Sequence, residues 1–212
     1  MRPLEVDTPH GPAHVHVRRV DEAIGALVLG HGAAGGVESG DLVAATEAAL
    51  AERFAVALID QPYRVAGRRS PAPAHQLDAA WTAVVDHLRG EDFAGLPLVA
   101  GGRSMGARVA CRTAAATGAA AVLCLAFPLE PPRRSGGPPQ SRLPELDAVT
   151  VPMLVVQGER DRFGMPPATA TRTVAVVPGD HRLKTDLDAV AGAVREWLPG
   201  VVGRAARAAT SR

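Results

Sequence analysis

Ser104 stands in Gly102-Arg103-Ser104-Met105-Gly106, behind the apolar run Leu96-Pro97-Leu98-Val99-Ala100 and ahead of a helix-forming stretch. A serine between two glycines, at a strand-to-helix turn, has its hydroxyl exposed as a nucleophile requires. The glycines let backbones pass where a Cβ would clash. The turn also sets the Met105 N–H at a helix N-terminus, where partial positive charge favours a developing oxyanion. The competing reading is a glycine-rich turn whose serine merely caps the helix.

Other segments supply what such a serine needs. Ala26-Leu27-Val28-Leu29 reads as a buried strand and runs into Gly30-His31-Gly32-Ala33-Ala34-Gly35-Gly36. The turn after this early strand is the place for a second oxyanion donor, so the Ala33 N–H is expected beside that of Met105. Met153-Leu154-Val155-Val156-Gln157 is a strand followed by Gly158-Glu159-Arg160-Asp161, and Thr173-Val174-Ala175-Val176-Val177 is a strand followed by Pro178-Gly179-Asp180-His181. All these polar residues fall just past the C-terminal ends of strands, the edge where open parallel sheets gather ligands.

A serine hydroxyl is a poor nucleophile until a base takes its proton, and histidine is the side chain suited to that work near neutral pH. His181 is therefore expected as base and then acid, with Asp161 orienting its imidazole. Glu159 and Asp180 compete for the acid position. Asp161 leads because the turn after that strand is the usual place for it.

At these residues the chain resembles a known family. Gly30-His31-Gly32-Ala33, Gln61-Pro62-Tyr63-Arg64, Gly101-Gly102-Arg103-Ser104-Met105-Gly106-Ala107-Arg108, Phe127-Pro128-Leu129, Gln157-Gly158-Glu159-Arg160-Asp161 and Asp180-His181 occur in the same order there. They are similar to the small α/β-hydrolase-like proteins of the testis-expressed protein thirty and KAT8-complex subunit three type, bacterial branch. The resemblance runs from about Pro9 to Leu198. It implies an α/β-hydrolase fold, a mostly parallel doubly wound sheet flanked by helices with no large cap domain, and Ser104, Asp161 and His181 as triad. Two positions depart from the pattern: Glu130 where histidine is common, and Arg162 where proline is usual.

The 212 residues suit a single domain over 1–200, with 201–212 expected as a flexible tail. A net charge of +1 argues against nucleic acid or an anionic membrane as the main partner. The expected partner is a small acyl substrate, with no cofactor and no metal. Cys111 and Cys124 read as small core residues, not as a disulfide. The N-terminus lacks the apolar segment of a signal peptide, and a cytoplasmic location is expected. Abundant Ala, Gly, Pro and Arg suggests a bacterium with a GC-rich genome.

The positioning elements can be placed from periodicity. His14-Val15-His16-Val17-Arg18-Arg19-Val20 alternates and is expected as the edge strand of an N-terminal hairpin, with His14 and His16 on one solvated face. His10, His14 and His16 lack the cysteine or carboxylate company of a metal site. Asp41 to Arg53 reads as a helix capped by Ser39 or Asp41, and Phe54 to Ile59 as a strand. Gln76 to Leu88 places Leu77, Trp81, Val84, Val85 and Leu88 on one helix face. Leu187 to Leu198 is the last helix. Pro131 to Pro139 is too rich in Pro and Gly for regular structure and is expected as a mobile loop.

Arginines gather near the motifs: Arg64, Arg68, Arg69, Arg103, Arg108, Arg133 and Arg134. Two readings stand. Several could attract an anionic substrate, with His31, Arg64 and Arg103 as possible substrate-binding residues. Alternatively they pair with Asp60, Glu130 or Asp78 and hold loops in place, the reading favoured here. A dinucleotide site is also conceivable, because Gly30-His31-Gly32-Ala33-Ala34-Gly35 matches G-x-G-x-x-G after a strand. It fails because the helix does not open at the third glycine and Glu38 puts negative charge there. The serious alternative is a catalytically idle scaffold with the same fold.

Overall fold

The computed structural model describes residues 3–131 and 140–210. Eight strands form one sheet in the order β1-β2-β4-β3-β5-β6-β7-β8. They are β1 Leu4–Val6, β2 Ala13–Arg18, β3 Gly25–Gly30, β4 Phe54–Asp60, β5 Leu98–Arg103, β6 Ala121–Leu125, β7 Met153–Gly158 and β8 Arg172–Val177. β1 and β2 run antiparallel to their neighbours, and every pairing from β4 to β8 is parallel. Parallel strands need crossover connections, and these place helices on both faces.

That double cover explains the uninterrupted apolar runs. All six residues of β3 are buried, with Ala26 and Val28 facing one core and Leu27 and Leu29 the other. The first core is closed by α3 (Ala74–Gly90) and α4 (Met105–Thr113), through Trp81, Val84, Leu88, Val109 and Ala110. The second is closed by α1 (Gly40–Ala51) and α6 (Leu187–Thr210), through Leu42, Ala45, Val190, Val194 and Leu198. Two short helices complete the fold, α2 Pro62–Val65 and α5 Leu143–Asp147.

Three expectations require correction. β2 is not the edge strand: it lies between β1 and β4, and β1 is the edge. Its histidines have carboxylate neighbours, His16 Nε2 at 3.1 Å from Asp60 and His14 Nε2 at 3.6 Å from Glu5. The last helix does not stop at Leu198 but runs to Thr210, into the segment expected as a flexible tail. Pro199 removes a single backbone donor, while buried Val201 continues the apolar stripe of Val190, Val194 and Leu198 into the core. Finally, Asp41 is no helix cap. Ser39 holds the N-cap position of α1 without a side-chain bond, and Asp41 turns inward as a buried carboxylate.

Residues 126–152 alone connect β6 to β7, too few for a large cap domain. The loop expected over Pro131 to Pro139 lies, from 132 onward, outside the described residues. Among the described residues, no helix is long and apolar enough to cross a membrane, and no cluster of His, Cys, Asp and Glu could hold a metal.

Candidate active site

The turn from β5 into α4 is where local geometry becomes unusual. Ser104 has φ 53° and ψ −103°, a conformation that L-residues rarely adopt and that costs about 1–3 kcal/mol. It is maintained from both sides, by Ser104 N–H donating to Leu125 O at 2.9 Å and Arg108 N–H donating to Ser104 O at 3.2 Å. The turn also needs its glycines. A Cβ on Gly106 would stand 2.2 Å from the Gly30 carbonyl oxygen, and one on Gly102 would stand 2.6 Å from the same atom. Only hydrogen at these two positions lets α4 sit against the end of β3.

Ser104 Oγ lies 3.0 Å from His181 Nε2, and His181 Nδ1 lies 2.8 Å from Asp161 Oδ2. The three residues come from the turns after β5, β7 and β8 and meet at one sheet edge. Asp161, and neither Glu159 nor Asp180, stands at Nδ1. Glu159 pairs with Arg160 at the surface, and Asp180 accepts from the Arg182 N–H. The Asp161 carboxylate is fully buried at 0% exposure, yet its oxygens are well served. Oδ1 accepts from the Phe163 N–H at 2.9 Å, and Oδ2 accepts from Gln157 Nε2 at 2.8 Å as well as facing the imidazole. Such donors fix the carboxylate in orientation.

Gln157 had no role from sequence, although it stands in a quoted motif. Its Oε1 accepts from the Phe127 N–H at 2.9 Å. Its Nε2 lies 2.8 Å from Asp161 Oδ2, 2.9 Å from Gly164 O and 3.0 Å from Phe127 O, so two protons are shared among three acceptors. A single buried amide thus ties the ends of β6 and β7 to the acid. Phe163 was also missed: its ring meets the His181 imidazole edge-on at 4.3 Å between centroids.

Arg103 and His31, read from the sequence as possible substrate-binding residues, do not line the cavity over Ser104. Arg103 Nε donates to Asp41 Oδ2 at 3.3 Å and Nη2 donates to His181 O at 3.1 Å. Its partner is therefore Asp41, not Asp60, Glu130 or Asp78. His31 is fully buried. Its Nε2 accepts from the Gln61 N–H at 3.2 Å, so the proton sits on Nδ1, which donates to Gly32 O at 2.8 Å. Burial holds the His31 imidazole below its usual pKa and favours this neutral form.

The Gln61-Pro62-Tyr63 motif completes the support of this loop. Tyr63 Oη donates to Ala33 O at 3.4 Å, and burial pushes the phenol up to about 12, keeping its proton in place. Arg64 is half-buried with Nη2 close to the Gly36 backbone, and Arg68 lines a small separate cavity beside His10. Arg133 and Arg134 fall outside the described residues.

A cavity of about 290 Å³ opens over Ser104 and is bounded by Ala33, Met105, Leu77, Pro128, Phe163 and neighbouring side chains. Neither the Ala33 nor the Met105 N–H donates to another backbone carbonyl among the described residues.

This fold and edge are those of a hydrolase class. Residues 23–189 match the family model of the alpha/beta hydrolase domain, and the chain belongs to that family. Among solved structures it is similar to XC6422 of Xanthomonas campestris, an α/β serine hydrolase without a lid (TM-score 0.73, 20% identity, 92% of this chain and 91% of that one). It is also similar to Est1E of Butyrivibrio proteoclasticus (0.76, 17%, 96% and 100%). A third is the dienelactone hydrolase of Anabaena variabilis (0.74, 18%, 93% and 96%). At these identities the likeness establishes the fold. No curated protein sequence matches the chain.

Proposed function

We propose that this chain is a serine hydrolase that cleaves an ester-type acyl bond through a Ser104–His181–Asp161 triad. The observation that carries the reading is the continuous hydrogen-bonded line from Ser104 Oγ through both ring nitrogens to a fully buried Asp161, on a serine with φ 53° that opens onto a cavity.

The steps follow from that line. Ser104 Oγ attacks the substrate carbonyl carbon as its proton passes to His181 Nε2. The carbonyl oxygen becomes an oxyanion between the N–H groups of Ala33 and Met105, at the positive end of α4. Collapse breaks the bond to the leaving alcohol, which takes the proton from His181 and leaves an acyl ester on Ser104. Water then attacks that ester, giving its proton to His181. The carboxylic acid departs as the proton returns to Oγ. Asp161 stays ionised throughout, holding Nδ1–H and stabilising the imidazolium.

The neighbours named above are a serine hydrolase without a lid, an esterase-named protein also solved with ferulic acid bound, and a dienelactone hydrolase. They support an ester among the acyl bonds. The motif pieces given above favour the testis-expressed protein thirty and KAT8-complex subunit three type within the family. Two buried free cysteines suit a reducing, cytoplasmic setting. The test is a fluorophosphonate probe with p-nitrophenyl acetate turnover alongside: wild type is labelled and active, and Ser104→Ala is neither. Absence of labelling in correctly folded protein would leave the idle scaffold.

A further inference from the structure

The helix that follows the nucleophile carries arginine at two successive four-residue steps. Ser104, Arg108 and Arg112 share one face of the α4 turn and helix, and all three line the cavity of about 290 Å³. Arg142, in the turn before α5, lines the same wall. Three arginines therefore line the space beside the serine.

Two carboxylates serve them. Arg108 grips Glu145 through Nε at 2.9 Å and Nη2 at 2.5 Å, and Arg112 grips Asp78 through Nε at 2.8 Å and Nη2 at 2.5 Å. Both acids are used bidentately. Arg112 Nη1 lies 3.6 Å from Glu145 Oε2 and is buried without a hydrogen bond. Among the described residues the Arg142 guanidinium donates to the Pro128 carbonyl alone, at 3.3 Å, and no carboxylate lies within ion-pair distance of it. The adjoining residues 132–139 contain no Asp or Glu. Burial, then the charge of Arg108, push the Arg142 guanidinium down to about 10, with Glu145 opposing and Arg112 adding. The cluster is rich in donors, short of acceptors and one negative charge short of balance. A half-buried cation without a counter-ion is costly, and a cavity that excludes water strengthens its pull on an anion.

We propose that this cavity takes esters that carry a carboxylate a few bonds from the scissile carbonyl, such as half-esters of short dicarboxylic acids. Arg142 receives the carboxylate and the Arg108 and Arg112 stripe lies beside it. A single carboxylate supplies the one missing charge. This assignment rests on the serine-hydrolase reading, and its test must separate the two.

The experiment compares mono-p-nitrophenyl glutarate with the neutral p-nitrophenyl valerate, in wild type, Arg142→Gln and Arg142→Lys, beside fluorophosphonate labelling. Wild type is expected to prefer the half-ester in kcat/KM by about tenfold or more, as a charge-assisted contact provides. Arg142→Gln should bring that ratio to about one, and Arg142→Lys should restore part of it. Cleavage of the neutral ester without any preference for the half-ester overturns the carboxylate subsite and leaves the hydrolase reading standing. Should neither ester be cleaved nor the probe bind, the hydrolase reading falls, and titration of intact protein with glutarate decides the subsite. Binding weakened tenfold by Arg142→Gln supports it, and no binding, or equal binding by both proteins, overturns it.

Discussion

Arg103 Nη2 donates to the backbone carbonyl of His181 at 3.1 Å, so the residue just before the serine holds the loop that carries the histidine. The same guanidinium offers Nε to Asp41, whose side chain is 1% exposed. One arginine thereby fixes the distance between two turns that are remote in sequence and neutralises a buried acid. Arg103→Ala should remove both functions. It leaves Asp41 buried and uncompensated, which costs on the order of 3 kcal/mol. Denaturant unfolding checks the loss, and stability equal to wild type would contradict this role. Asp41→Asn should cost less, because the Arg103 cation it leaves is 17% exposed and keeps its bond to the His181 carbonyl.

Substitutions in the line from Ser104 to Asp161 should separate attack from orientation. Ser104→Ala should lower kcat on p-nitrophenyl acetate by on the order of 10³-fold or more. Asp161→Asn should keep the fold but lower kcat by on the order of 10³- to 10⁴-fold, because an amide favours the wrong imidazole tautomer. His181→Ala should lower kcat about as far as Ser104→Ala does, since the imidazole Nε2 at 3.0 Å is the group placed to take the proton from Oγ. An unchanged kcat in that variant would remove His181 as base.

Gln157 is assigned here as a positioning residue acting through Asp161. Gln157→Met keeps the length and removes the donors to Asp161 Oδ2, Gly164 O and Phe127 O. It should lower kcat by on the order of 10- to 10²-fold with little change in KM, since the acid loses its orientation while the cavity is untouched. Steady-state kinetics on one neutral ester gives that split. A rise in KM at constant kcat would place Gln157 at the substrate instead.

His31 gives the fold an acid sensitivity of known sign. Its imidazole is held below the usual value of about 6.5 by burial. The unfolded chain therefore takes up a proton first as pH falls, and the folded state loses stability below about 6.5. That contribution is fully present at neutral pH and is lost as pH falls through the folded value. Melting temperatures at about pH 7.5 and 5.5 should diverge more in wild type than in His31→Gln. Equal divergence in both proteins would exclude His31 as a source.

Much of this was legible in the chain because it depends on short-range pattern. β3 to β7 announce themselves as apolar runs, since helices cover both faces of the parallel sheet there and leave no polar alternation to obscure them. Glycine flanking Ser104 reflects the approach of Gly30 to within 2.2 Å of a would-be Cβ. Asp161 and His181 are readable as turn residues after strands. The short β1 and the position of β2 beside β4 were not readable, because pairing partners leave no local trace in a six-residue alternating strand.

The sequence by itself determined the order of the central strands and long helices, the strand-end placement of Ser104, Asp161 and His181, and the small-residue elbow. These follow from periodicity and from what a tight turn sterically permits. Only the tertiary structure decided partners. It assigned Arg103 to Asp41, Arg108 to Glu145, Arg112 to Asp78 and Gln157 to Asp161, and it left Arg142 without a carboxylate among the described residues. It also buried His31 between the Gly32 carbonyl and the Gln61 N–H. The physical reason is that charge pairing and burial depend on distances between segments up to 78 residues apart, which no local pattern encodes.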